Sequence, residues 1–226
     1  MYFRRSLNTD DWFEILLKMK KIILFCALGF MIATGCKKTK HEIIPAPVET
    51  VDLNAEFSGD INGAPVYLKQ GVQGYFLDAN KTKVILPAPQ PSAAIYYADM
   101  KSGQTLVSVK VNLGSVLFDA ATSSDQNPTL QQLNDFVNAN LTPTYSTGGA
   151  AGFEVVYRDA NGAIWTSDAA AGPQDVEFTS IVQESDATGD YFKFICTFNT
   201  TVYRTVGPDT FSLPIQNAVL KGWFKR

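Results

Sequence analysis

The chain has one imidazole, His41, and that shortage decides much of the chemistry open to it. A Ser-His-Asp triad, a Cys-His dyad and a multi-histidine zinc site each need imidazole at the reacting centre. His41 lies in a polar, proline-bearing stretch, KKTKHEIIPAPVETVD over 37–52, away from any patterned segment. The three cysteines are scattered too. Cys26 sits in an apolar run, Cys36 follows Ala33-Thr34-Gly35, and Cys196 stands among Phe192, Phe194 and Phe198. A lone thiol in such a run is a core residue, and with Cys26 and Cys36 assigned elsewhere it has no disulfide partner.

Acidic loops are the next place where chemistry could arise. Asp159-Ala160-Asn161-Gly162 offers two ligand-type side chains, and Asp186 with Asp190 offers two more. Calcium takes six to eight oxygens, and the EF-hand loop closes on a glutamate that is missing here. Asp, Asn and Gly are also the residues that tight turns select for backbone geometry. The loops therefore read as hairpin turns. Asp159 and Asn161 are the residues to watch for calcium, and no cofactor is expected. Carboxylate pairs of the kind glycosidases use are not marked by any spacing, so an enzyme is not expected either.

Aromatic side chains give the sharper binding hypothesis. Tyr67, Tyr75, Tyr96, Tyr97, Trp165, Tyr191 and Trp223 have flat faces that could stack on sugar rings. The same residues serve any β fold with the ring inside and the polar tip outside. Trp165, just past the Asn161-Gly162 turn, is the first candidate for a ligand platform, with Tyr191 beside it.

The elements that must position these residues are strands. Val107, Val109 and Val111 alternate with Ser108, Lys110 and Asn112, the period of a half-buried antiparallel strand. Leu53, Ala55 and Phe57 alternate likewise, and Asn62-Gly63 is a favoured hairpin dipeptide. Val66 to Phe76 reads as one or two strands, and 78–81 as a turn before a strand over 82–86. A hairpin follows around Lys101-Ser102-Gly103. In the second half Phe153, Val155 and Tyr157 share a face, 176–184 is a strand, and 191–204 is a long strand with Phe192, Phe194, Cys196 and Phe198 on one side. Phe211, Leu213 and Ile215 continue the pattern, and 219–224 closes the chain.

One helix interrupts near 128–141. Asn127 could cap it, Pro128 suits the first turn, and Leu130, Leu133, Phe136 or Val137, and Leu141 recur at helical spacing. Its polar face carries Gln131, Gln132, Asn134 and Asn138 and no basic residue, which argues against a membrane-surface helix. The expected fold is all-β: an antiparallel β-sandwich, or a barrel-like sheet, of about a dozen short strands. A ligand-filled barrel and a packed sandwich share this period, so a lipid carrier stays open as a class.

The N-terminal quarter has a different logic. Lys20 and Lys21 precede an uncharged apolar run of eleven residues, Ile22 to Ile32, then Ala33-Thr34-Gly35-Cys36 and a basic Lys37-Lys38-Thr39-Lys40. The run is well short of the ~20 residues a spanning helix needs. Residues 1–18 include Asp10, Asp11 and Glu14, which a secretion signal avoids, so Met19 is expected to be the translational start, the alternative being a long n-region that is also discarded. The stretch 1–35 is then upstream extension plus signal peptide, 36–52 the mature N-terminus and tether, and 53–226 a single β domain.

Ala33-Thr34-Gly35-Cys36 resembles the lipobox of bacterial lipoproteins. The resemblance implies diacylglycerol on the Cys36 thiol and attachment to a membrane through that lipid. The succession Phe153-Glu-Val-Val-Tyr157, Asp159-Ala-Asn-Gly162, Val176 to Val182, Asp190 to Phe198 and Asn217 to Phe224 is similar to that of small Bacteroidota lipoproteins in which a β domain follows a lipobox. It covers roughly 140–226, and it implies fold and habitat but no activity. In such proteins surface export follows an acidic cluster after the lipidated cysteine. Here lysines stand in that place, so an outer-membrane lipoprotein facing the periplasm is expected.

Charge narrows the choice of partner. Five of the 19 basic and three of the 22 acidic side chains precede Cys36, which leaves a formal charge of −5 on the 191 residues from Cys36 onward. An acidic surface repels phosphate backbones, so no nucleic-acid partner is expected. The expected role is a non-catalytic binding or structural domain with an envelope protein or polymer as partner. Glycan capture or a carbohydrate-active role is the alternative.

Overall fold

The computed structural model describes residues 50–169 and 175–226. Cys36, His41 and the other residues before 50 lie outside them. The elements are β1 Glu56–Ile61, β2 Ala64–Lys69, β3 Tyr75–Val84, β4 Ser92–Ser102, β5 Ser108–Phe118, α1 Leu130–Ala139, β6 Glu154–Arg158, β7 Ile164–Ser167, β8 Asp175–Asp186, β9 Gly189–Val206 and β10 Asp209–Lys225.

The all-β expectation holds, with ten strands among the described residues in one antiparallel sheet that curls into a half-barrel. The sheet order is β2-β1-β10-β9-β7-β6-β5-β4-β3. β8 also pairs with β9, beside Tyr191 to Asn199, while β7 takes the same edge at Val202 and Tyr203. Bulges interrupt the register of β1, β4, β8 and β10, and each adds local twist. On the inside, Leu77 Cδ2 stands 3.1 Å from where a Cβ would project from Gly222, so a larger residue there would push the Leu77 side chain back by a few tenths of an ångström.

Alternation fills the interior. In β9, Phe192, Phe194, Cys196, Phe198, Thr200 and Val202 are buried while the residues between them are half-exposed. Phe194 packs on Phe224 at 4.6 Å and edge-on to Phe178 at 5.1 Å, and Phe153 meets Phe198 at 5.9 Å. These offset and edge contacts suit the ring quadrupole.

α1 packs its Leu133 and Val137 inward, with β5 its nearest strand. Thr129 is its cap, not Asn127. The Thr129 hydroxyl accepts from the Gln132 N–H, and the Gln132 side chain accepts from the Thr129 N–H. This reciprocal box satisfies two donors that Asn127 is too far upstream to reach. The loop before α1 is fastened at both sides. Lys83 Nζ donates to the Gln126 carbonyl at 2.9 Å, and Arg226 donates to the Pro128 carbonyl at 2.7 Å while pairing with Asp125 and Asp190.

Several expectations change. Residues 78–81 are the middle of β3 and not a turn, because the ladder to β4 runs unbroken from Tyr75 to Val84. The segments around 211–215 and 219–224 are one strand, β10, folded over a bulge at Asn217, whose φ is 53°. Phe211 is 51 % exposed, at the open end of that strand. Asn112, on the polar phase of β5, is buried, and its amide donates to Glu154 Oε2 at 2.8 Å. The fold also begins earlier than 53. Val51 donates to Asp186 Oδ2 at 2.9 Å, and Val51 and Leu53 pack against the core. The Thr188 side chain and the Val51 N–H hold the Asp186 carboxyl down at about 2.

Candidate functional site

Trp165 lies where cross-strand register makes a ledge. Leu77, Met100, Val109, Tyr157 and Trp165 are successive partners from β3 to β7. β7 then meets β9 at Thr166 and Tyr203, which puts Arg204 next in the row, and Phe211 is the β10 partner of Arg204. Directly paired residues share a face. The row therefore runs from the buried Leu77 and Met100, through a half-buried Trp165, to the exposed Arg204 and Phe211 at the rim of the concave face.

The indole is held in place. Its Nε1–H donates to Asp159 Oδ2 at 3.1 Å, and Asp159 Oδ1 accepts from the Asn161 and Ala163 N–H groups at 2.9 Å each. Burial works to raise the Asp159 carboxyl, but the bonds from Trp165, Ala163 and Asn161 and the nearby Arg204 charge outweigh it and lower it. Asp159 and Asn161 thus do what the turn reading requires, with both Asp159 oxygens engaged by the protein. Among the described residues no group of three or more His, Cys, Asp or Glu is placed to hold a metal ion.

The other nominated aromatics divide by burial. Tyr191 is 3 % exposed, its hydroxyl bonded to Thr188 and its ring under Lys225 Nζ at 5.4 Å, so it is not brought to the Trp165 ledge as a stacking face. Tyr75, Tyr96 and Trp223 are buried as well, whereas Tyr67 is exposed and Tyr97 lies beneath Lys110. Cys196 is fully buried and burial pushes its thiol up, the setting of an inert cysteine.

Two of the concavities of the surface carry clusters of polar side chains. The larger, about 540 Å³, spans β8, β9 and β10 around Asp175, Glu177, Asn199 and Asn217. Three of its polar residues satisfy one another. Asp175 accepts from the Asn199 N–H and amide, and the Asn217 N–H donates to Asn199 Oδ1 at 2.7 Å. The smaller, about 230 Å³, lies over β4, β5 and β6 and is lined by Asp99, Lys101, Ser102, Thr105, Leu106, Ser108 and Arg158. Here the groups are not all spent. Asp99 Oδ1 is buried without a hydrogen-bond partner. Sequence alone offered no way to single out Asp99, which falls on the polar phase of β4 like any outward residue.

No protein-family model, characterised protein or solved structure matches this chain. The chemistry of the surface therefore has to speak for itself. Trp165, oriented at the rim by Asp159, is the partly exposed aromatic that these contacts single out.

Proposed function

We propose that this is a lipid-anchored envelope lipoprotein whose β domain is a non-catalytic binding module. The anchor is the acylated thiol of Cys36, and the domain works on the periplasmic side of the outer membrane. The supporting observation is the order of segments. A basic start, an apolar run of signal length and Ala33-Thr34-Gly35-Cys36 precede a β unit that closes its own core from Val51 onward. Two or three acyl chains with adjacent lysines hold a protein stably at an anionic surface, whereas one chain holds only marginally. Cys36→Ser should abolish labelling by a palmitate analogue and leave the precursor uncut. Equal labelling of variant and parent would sink the anchor.

A second reading, glycan binding, is favoured by Trp165. Its edge is pinned by Asp159, and Arg204 and Phe211 follow it in the same row at the rim. An aromatic held by its neighbours loses little entropy when a sugar ring stacks on it, and a guanidinium nearby supplies donors for hydroxyl groups.

A further inference from the structure

We infer that the corner of the sheet where β3 and β5 end docks on the lipid bilayer that holds the anchor. This docking rests on the proposed acyl anchor and gives the domain a membrane-facing side. Every residue from Val84 to Pro89, Val-Ile-Leu-Pro-Ala-Pro, is exposed. Val84 pairs with Ala93 on β4, and Ala93 pairs with Leu117 on β5, so the three share the outward face. Val84 is 58 % exposed and Leu117 62 %. An uninterrupted apolar patch of this kind marks a surface that meets something other than water. The run is also fixed in place. The Leu86 N–H donates to Ser92 Oγ at 3.0 Å, and the Gln90 N–H donates to the Pro87 carbonyl at 3.1 Å. Pro87 and Pro89 carry no N–H, so the run offers few donors to a partner strand and leaves few unsatisfied against lipid.

The position of the patch selects the bilayer as its occupant. A chain of contacts joins it to the start of the domain. The Val51 N–H is held by Asp186, the Ser185 hydroxyl donates to Asp190 at 2.7 Å, and Arg226 pairs with Asp190 and Asp125. Arg226 also donates to the Pro128 carbonyl, and Lys83, beside Val84, donates to the Gln126 carbonyl. The domain is thus entered at the same end of the sheet that carries the apolar run. From Cys36 to Thr50 the intervening residues are 37–49, which is 49 − 36 = 13. Thirteen residues reach at most about 45 Å, and as a flexible chain average about 20 Å. A domain of this size has a radius of gyration of about 16 Å, so the entry end is the end kept nearest the head groups. Such a short tether raises the local concentration of bilayer at the patch far above that of any free partner. The cations fit as well. Burial, then the charges of Lys83, Arg226 and Lys225, push the Lys81 ammonium down against the pull of Asp125, a sign of cations gathered here. Arg226 is spent on two carboxylates, whereas Lys83 meets only neutral oxygens and keeps its charge for anionic head groups.

The test uses the acylated protein, taken from its membranes and returned to vesicles of phosphatidylethanolamine and phosphatidylglycerol. A fluorescent label is attached at Leu117→Cys or, as a control at the opposite end of the sheet, at Val72→Cys. Cys196 is buried and Cys36 carries the lipid, so the new thiol is the one that reacts. Part of the lipid bears a nitroxide quencher near its head group. The label at Leu117 should lose most of its emission and the label at Val72 almost none. Val84→Asp combined with Ile85→Asp should restore the emission at Leu117 without lowering the melting temperature, since both side chains are exposed. Equal quenching at Leu117 and Val72, in protein that floats with the vesicles, would overturn the docking and leave the anchor standing. A Leu117 label that ignores the nitroxide but dims as copies per vesicle increase would overturn it in favour of a second copy of the chain. Protein that does not float with the vesicles would overturn the anchor, and the docking with it.

Discussion

Asp99 shows how one side chain can carry two demands. Burial raises its carboxyl above the ordinary range, against the attraction of Lys101, Lys110 and Arg158. A carboxyl raised in the folded state takes up its proton more readily there than in the unfolded chain, where it titrates at about 3.9. The associated stability is fully present below the unfolded value and is lost as pH rises through the folded value. Asparagine has no proton to lose, so Asp99→Asn should raise the melting temperature at pH 7, and the gain should shrink as pH falls towards the unfolded value. Thermal unfolding at several pH values reads this directly. A variant that melts lower than the parent at pH 7 would show that the three cations more than compensate for burial. Trp165 and Tyr191 make a complementary point. Both are aromatic residues near a turn, yet one reaches the rim and the other lies under Lys225. That difference comes from the curl of the sheet, which local sequence does not encode.

At the scale of elements, strand phase was legible wherever a face is uniformly apolar. The inward set of β9, the shared face of Phe153, Val155 and Tyr157, and the Asn62-Gly63 and 159–162 turns follow directly from their residues. Phase failed where long-range pairing overrode local signals. Asp78, Asn80 and Lys81 are turn-like residues, but ten consecutive partners on β4 hold them extended. Asn112 is polar and yet buried, because Glu154 satisfies its amide and the Gly148 N–H donates to the other Glu154 oxygen at 3.1 Å. The register of β9 can be tested by two neighbouring substitutions. Phe194→Ala should cost about 3–5 kcal/mol, as a large ring leaves a cavity among Phe178 and Phe224. Lys193→Ala, which loses only a half-exposed pair with Glu184, should cost less than about 1 kcal/mol. Urea melts of the two variants give the comparison, and equal losses would mean the faces are exchanged.

For the whole molecule, the proposed anchor and the basic run after it set the expected placement. Lys37, Lys38 and Lys40 follow Cys36 where an acidic export cluster would stand, and each lysine near anionic head groups adds up to ~1 kcal/mol. The β domain should therefore resist protease added to intact cells and be cut once the envelope is opened. Digestion in intact cells would place it outside and strengthen the glycan reading. A half-barrel held at a membrane meets a second condition, since among the described residues β2 and β3 end the path of its sheet with one edge free each, and β8, paired only to β9, adds a third free edge. Proteins confined to a plane meet edge to edge far more often than in dilution, and a bare strand edge is a template for stacking into fibrils. β2 carries Pro65, which has no N–H to offer a neighbour, and ends in Lys69, while β3 carries Lys81 and Lys83. Lys83 also binds the loop before α1 across its end of β3. The β2 and β3 margins are thereby poor seeds for self-association, a bulge between Thr179 and Val182 interrupts the β8 margin, and the molecule can be crowded on a surface and remain an individual.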